Sequence, residues 1–506
     1  MRQLLLRLQP IDWQQRVFLG FLAALAVIAG LAAATRAPWL LALLAAGPLL
    51  ALVLRRWQAL YYGVFMLLPF SRELSLPGGL SMDVPTEPLL LILLGIVPLA
   101  LLLGPGGLGQ LTRHEWRSPL LLLPLVALVW AALGIGWSVD AVKSFKYVLA
   151  KCWYLGPFLL GSLLVLRRPA DFWRLAVCYV GATTLVLLLV LGRHALTGFA
   201  FGQVRYVIQP FFRNHVTYAT VLALLLPLAG GLAARAPAAS RARRVWLVAG
   251  ALLLLGLITS YTRASWLSLP VAGLYYAVLR LRQTRLLLVG VALGAAGVAT
   301  YFVSQDNFMR YTPDYAHTIW HGANLQAHLE STYKFQDVSG MERVYRWVAA
   351  ARMAADRPLT GSGPSTFYPE YKRYTVTSFR TYVSANPEHS TAHNYFLLQF
   401  AEQGLPGLLL WCALVAAALL TAERLYHAAA ARPDVRRVVL VVALSLVIIV
   451  FHLFLNELVE VDKIGSVFYV ALAVLIRAES WLGEGPAVSA PLRPLGREAD
   501  GVGLPA

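Results

Sequence analysis

Apolar runs follow one another along almost the whole chain, and their lengths limit what it can fold into. Fourteen read as spans, at about residues 17–35, 38–54, 57–70, 88–105, 119–136, 145–166, 172–192, 214–234, 244–260, 265–280, 285–303, 394–420, 436–455 and 463–477. A helix needs about 20 apolar residues to cross about 30 Å of hydrocarbon, and most of the runs approach that length. The third and the ninth to eleventh are short or crowded, so the count lies between twelve and fourteen. In lipid the backbone must satisfy its own hydrogen bonds, which leaves helices or a closed barrel. The runs are continuously apolar rather than alternating, which argues against a barrel. The expected fold is an all-α polytopic membrane protein with about 14 transmembrane helices. A composition of 58% hydrophobic and 13% charged residues over 506 positions points the same way. Cys152, Cys178 and Cys412 lie in apolar surroundings without metal-ligand spacing and read as packing residues. The N-terminus shows no cleavable signal; its first apolar run reads as a span.

The net charge of +18 orients the spans. With the N-terminus inside, cytoplasmic connections hold Arg55 and Arg56, Arg113 and Arg117, Arg167 and Arg168, Arg241, Arg243 and Arg244, Arg280, Arg282 and Arg285, then Arg432, Arg436 and Arg437. Basic residues recur at every second connection, the positive-inside pattern, and both termini are expected in the cytoplasm. Arginines spaced between apolar runs give little support to nucleic-acid binding. The external set then contains S-R-E-L-S-L-P-G-G-L-S-M-D-V-P-T-E, W-S-V-D, residues 193–213, S-Y-T-R and N-E-L-V-E-V-D.

One interruption breaks the pattern. Residues 304–393 form a polar, aromatic-rich insert, giving an expected organisation of an N-terminal bundle (1–303), an external loop domain (304–393), C-terminal helices (394–477) and a tail (478–506). Within the insert, Met341, Val344, Tyr345 and Val348 recur at helical spacing, with Arg343, Arg346 and Arg352 at the more polar positions. This predicts a short amphipathic helix at the interface or against the bundle. In D-R-P-L-T-G-S-G-P-S-T-F, Gly361, Gly363 and Pro364 predict a tight turn; no Lys-Ser/Thr follows, so a nucleotide-binding loop is not supported.

Three polar clusters sit at the external ends of spans. Arg263, in I-T-S-Y-T-R-A-S-W-L-S, either snorkels to the interface or binds phosphate through its fork of donors. Arg205 and Arg213 flank an aromatic, Pro-containing turn in F-G-Q-V-R-Y-V-I-Q-P-F-F-R-N-H-V-T-Y, and Asn214-His215 opens a span; interfacial anchoring is the competing reading. The insert closes with N-P-E-H-S-T-A-H-N-Y, where Ser390 or Thr391 could cap the next helix. If that stretch is helical, His389 and His393 share a face and could hold zinc, though no H-E-x-x-H arrangement or third ligand accompanies them. His393 reads either as a packing residue or as a general base, since imidazole titrates near the working pH. Glu402 lies deeper and reads as a polar-network residue, with Gly404 and Gly407 permitting close helix contact.

The segments I-T-S-Y-T-R-A-S-W, R-V-Y-R-W-V-A-A-A-R-M-A-A-D-R-P-L-T-G-S-G-P-S-T-F and H-N-Y-F-L-L-Q-F-A-E-Q-G-L-P-G resemble the O-antigen ligase and polymerase superfamily, more the ligase branch. The resemblance covers about residues 200–420; the first five spans are similar in hydropathy only. It implies an inner-membrane glycosyltransferase of GT-C-like architecture with a periplasmic loop. The family's essential His carries onto His393 and its donor-binding Arg onto Arg263. A second donor arginine falls on Arg213, with Arg205 in reserve, and His215 and His389 are the accompanying substrate-binding candidates. The implied donor is an undecaprenyl-diphosphate-linked glycan. The implied acceptor is a hydroxyl of the lipid A-core, or another lipid-linked repeat unit in a polymerase. Neither cofactor nor metal is expected, and no obligate protein partner. A lipid-linked-sugar transporter is the rival class, but its polar residues would be expected near the midplane, whereas these cluster at one face.

Overall fold

The computed structural model describes residues 57–76, 80–103, 107–311, 338–381, 384–386 and 391–483. The expected spans at 17–35 and 38–54, His389 and the end of the tail lie outside the described residues. The longer elements, in order, are α1 (57–67), the hairpin strands β1 (Arg72–Leu76) and β2 (Leu80–Val84), α2 (Thr86–Leu103), α3 (Pro119–Gly134), α4 (Ala141–Val165) and α5 (Pro169–Leu196). They continue with α6 (His215–Arg235), α7 (Arg241–Ile258), α8 (Arg263–Arg280), α9 (Thr284–Val303), α10 (Val338–Asp356), α11 (Tyr395–Ala428), α12 (Pro433–Leu453) and α13 (Asp462–Gly483). Among the described residues, eight helices are long and apolar enough to cross a membrane: α3, α4, α5, α6, α9, α11, α12 and α13. The expected spans at α1, α2, α7 and α8 are helical but fall short of that test. α2 is a shorter apolar helix, and α7 carries Arg241, Arg243 and Arg244 in its first turn. The last helix runs on to Gly483, past its expected end at 477.

Local sequence sets the helix starts. Asp140, Asn214 and Ser240 each accept an amide three residues on, from Lys143 (3.0 Å), Thr217 (2.8 Å) and Arg243 (3.1 Å). Pro169 and Pro433 open α5 and α12, where a missing N–H costs nothing. Most of α13's spanning window (89%) is buried but none of α9's, so α13 is the central post and α9 is peripheral.

Side chains tie matching ends together. At one end, Arg477 donates to Glu115 (2.6 Å) and to the Leu163 carbonyl, Trp481 donates to the Arg167 carbonyl (2.8 Å), and His427 lies 2.8 Å from the Leu279 carbonyl. At the other, Thr262 donates to the His215 carbonyl (3.4 Å), and Tyr395 donates to Glu460 (2.6 Å). This second end bears the insert.

α10 packs on α11, as an amphipathic helix lying against the bundle would. Met341 and Tyr345 are buried as their spacing predicts, but so is Arg346, which the sequence placed on the polar side. Its burial is compensated by Glu342 at 3.7 Å and the Thr391 carbonyl at 3.4 Å. The turn after α10 is stitched to α11. Ser362 and Gly363 amides donate to the Ala401 and Glu402 carbonyls (3.1 and 2.8 Å), and Leu405 donates back to Pro358 (2.7 Å). The Glu402 carboxylate accepts the Ser365 and Phe367 amides at 2.9 Å each. Gly361 (φ +65°) and Gly404 (φ +67°) make the approach feasible. A Cβ on either would lie 2.3 Å from the facing backbone, and Gly404 breaks α11 into two segments. The other side of the turn is held by Trp137, which donates to Thr360 (3.0 Å), and by Ser144, which donates to Pro364 (2.7 Å).

Candidate functional site

His393 is not part of a helix. Its backbone lies in the left-handed region (φ +53°), and the cap of α11 is Asn394, whose side chain accepts the Phe396 and Leu397 amides (3.0 and 3.1 Å). Thr391 does not fill that role, and Ser390 lies outside the described residues. The premise of a helical His389–His393 face, and with it the zinc arrangement built on that face, therefore fails at His393. For a non-glycine residue this backbone costs roughly 1 kcal/mol or more, so the surrounding contacts hold the imidazole in place.

What it faces comes from two other parts of the chain. His393 Nδ1 is 3.9 Å from the Glu457 Oε2, in the connection between α12 and α13, with Asn456 beside it. Arg346 and Arg343 approach from α10. Among the described residues, His393 Nδ1, Glu457 Oε2, Asn456 Nδ2 and Thr391 Oγ1 are buried polar atoms without a hydrogen-bond partner. Packing sites seldom leave several such atoms together, whereas functional sites do. The His393 side chain nonetheless keeps 27% of its exposure, on atoms other than the buried Nδ1. Burial pushes the imidazole down to about 4. Glu457 opposes this, Arg346 and Arg343 add to it, and Asn456 weakly opposes it. The histidine is thus neutral over the physiological range and has an acceptor nitrogen.

Arg263 begins α8 directly after Thr262, whose hydroxyl reaches the His215 carbonyl, so the structure brings the starts of α8 and α6 together. Arg213 precedes α6 and contacts acids of the hairpin, Glu73 at 3.0 Å and Asp83 at 3.3 Å, with 59% of its side chain exposed. Arg205 lies over the Tyr206 ring (4.5 Å) and is exposed. The sequence-derived candidates that are described therefore share the insert-bearing end, each presented by a different element. His393 meets Glu457 and the α10 arginines, Thr262 beside Arg263 bonds the His215 carbonyl, and Arg213 pairs with the hairpin acids.

Glu457, Asn456, Arg343 and Arg346 were not singled out as site residues from the sequence. N-E-L-V-E-V-D carried a signal, as acidic residues in an external connection next to a span. Nothing local paired it with a histidine on the far side of two spans earlier in the chain. Within this connection, Glu460 is held by Lys151 (2.6 Å) and Tyr395, fixing the segment that presents Glu457.

No curated protein matches the chain. Residues 248–412, from within α7 through the insert and the first half of α11, match the family model for O-antigen ligase. The matched stretch contains Arg263, α10, the stitched turn and His393, so the site's insert side lies within it. The chain is an all-α polytopic membrane protein whose residues 248–412 match the O-antigen ligase family model, a match that supports the O-antigen ligase and polymerase superfamily.

Proposed function

We propose that the protein is an O-antigen ligase-type glycosyltransferase, moving a glycan from undecaprenyl diphosphate to a hydroxyl of the lipid A-core. In this reading it lies in the bacterial inner membrane as a GT-C-like bundle of about 14 spans. Both termini are cytoplasmic, and residues 304–393 form a periplasmic domain. The observation that carries the reading is the meeting of a neutral, held imidazole with Glu457 and two arginines at the insert-bearing end.

The acceptor hydroxyl gives its proton to His393 as its oxygen attacks the anomeric carbon; the carbon–oxygen bond to the diphosphate breaks, and the electron pair leaves with the phosphate. Direct displacement inverts the anomeric configuration. Arg263 offsets the charge growing on the departing diphosphate, with His215 beside it. Arg213 is the weaker donor ligand, since it must exchange Glu73 and Asp83 for phosphate; Arg205 lies further out. His389 contacts the acceptor or orders the start of α11. Diphosphate is already a good leaving group, so neither an acidic proton donor nor a metal is required, and turnover is expected to persist in excess chelator.

A strain lacking the gene separates the branches of the superfamily. Unextended core together with intact polymer on the lipid carrier supports ligase; accumulation of single repeats means polymerase. Unchanged glycans on both lipids would remove both.

A further inference from the structure

The chemistry above makes no use of His452, a histidine with no exposed surface on the last turn of α12. Its Nδ1 lies 2.8 Å from the Ile448 carbonyl, an atom that can only accept, so Nδ1 carries the proton. Nε2 is then an acceptor, and it meets the Ser265 hydroxyl at 3.0 Å. Ser265 is two residues after Arg263 on α8. On its other side, the His452 carbonyl accepts the Leu455 and Asn456 amides (2.9 and 2.8 Å), forming the turn that presents Asn456 and Glu457 to His393.

We propose that His452 is a positioning residue that couples the Arg263 end of α8 to the Glu457–His393 pair. The inference rests on the reading of His393 as base and Arg263 as donor ligand. A buried imidazole is costly unless its nitrogens are bonded, and an apolar side chain would fill the same space without that cost. What the imidazole adds is direction. One ring fixes the end of α12 against the start of α8, so the donor arginine and the base's carboxylate neighbour keep a common frame. Displacement by about 1 Å in such a frame costs up to about 10²-fold in rate.

The test is a transfer assay with the full-length protein in detergent or bilayer, using undecaprenyl-diphosphate-linked glycan and lipid A-core. His452→Leu and Ser265→Ala are each expected to lower kcat about tenfold or more, and the pair together no further than either alone. His452→Gln, whose amide oxygen can accept the serine hydroxyl, is expected to recover most of the loss. In a Glu457→Gln background, His452→Leu is expected to add little, because the carboxylate it positions is gone. Ser265→Ala carries the test if His452→Leu does not fold. Wild-type kcat in Ser265→Ala, or losses that multiply fully with Glu457→Gln, would overturn the coupling while leaving the base assignment intact. Normal turnover by His393→Ala would instead overturn the reading underneath, and the coupling with it.

Discussion

At the residue scale, the His393 imidazole combines a held backbone with neighbours of both signs. Its pKa near 4 in the free protein means that the acid limb of kcat/KM lies far below neutrality. Removing a positive neighbour raises it, so Arg346→Gln should move that limb to higher pH; Glu457→Gln should move it lower. Diphosphate bound at Arg263 brings negative charge to the same end as His393, so the limb in kcat should lie above that in kcat/KM. Rate profiles from pH 3.5 to 8 would check the three signs, and a limb unmoved by either substitution would detach these groups from the base. His393→Ala should reduce transfer by about 10²–10⁴-fold with donor binding retained. For Arg263, even replacement by lysine should weaken donor use, since a point charge does not reproduce a forked contact. Donor-dependence curves equal to wild type would leave Arg263 as an interfacial anchor.

At the element scale, the insert is held by backbone rather than by side-chain packing alone. The 357–366 turn exchanges backbone hydrogen bonds with the broken start of α11, and the Glu402 carboxylate accepts the Ser365 and Phe367 amides. The sequence showed this turn as glycine-rich and Glu402 as a polar-network residue, yet not that they meet. Gly361→Ala places a methyl group 2.3 Å from the Glu402 backbone, which neither segment can absorb without separating. The expected result is faster protease cleavage of the insert and lost transfer, with α12 and α13 still inserted. Glu402→Gln keeps acceptance at one amide only and should be milder. Cleavage of Gly361→Ala at the wild-type rate would show that the stitch does not hold the insert.

At the scale of the whole molecule, orientation is the property on which every site assignment depends. In a background without Cys152, Cys178 and Cys412, a cysteine at Arg380 should react with an impermeant thiol reagent added outside, and one at Arg282 only after the membrane is opened. The reverse pattern would put the insert, and the proposed site, in the cytoplasm. Hydropathy alone determined that the chain is helical and spans a membrane, because lipid leaves the backbone few other ways to satisfy its amides. Local pattern also determined the start of α6 at Asn214-His215, the α10 helix and the glycine turn, since each depends on neighbours a few residues away. Tertiary structure decided the rest. Burial of Arg346, the left-handed backbone at His393 and the break at Gly404 arise from contacts with distant segments that no local period records. The pairing of His393 with Glu457 exists only because α11, α12 and α13 bring their ends together, and Coulomb interaction depends on that distance, not on separation along the chain.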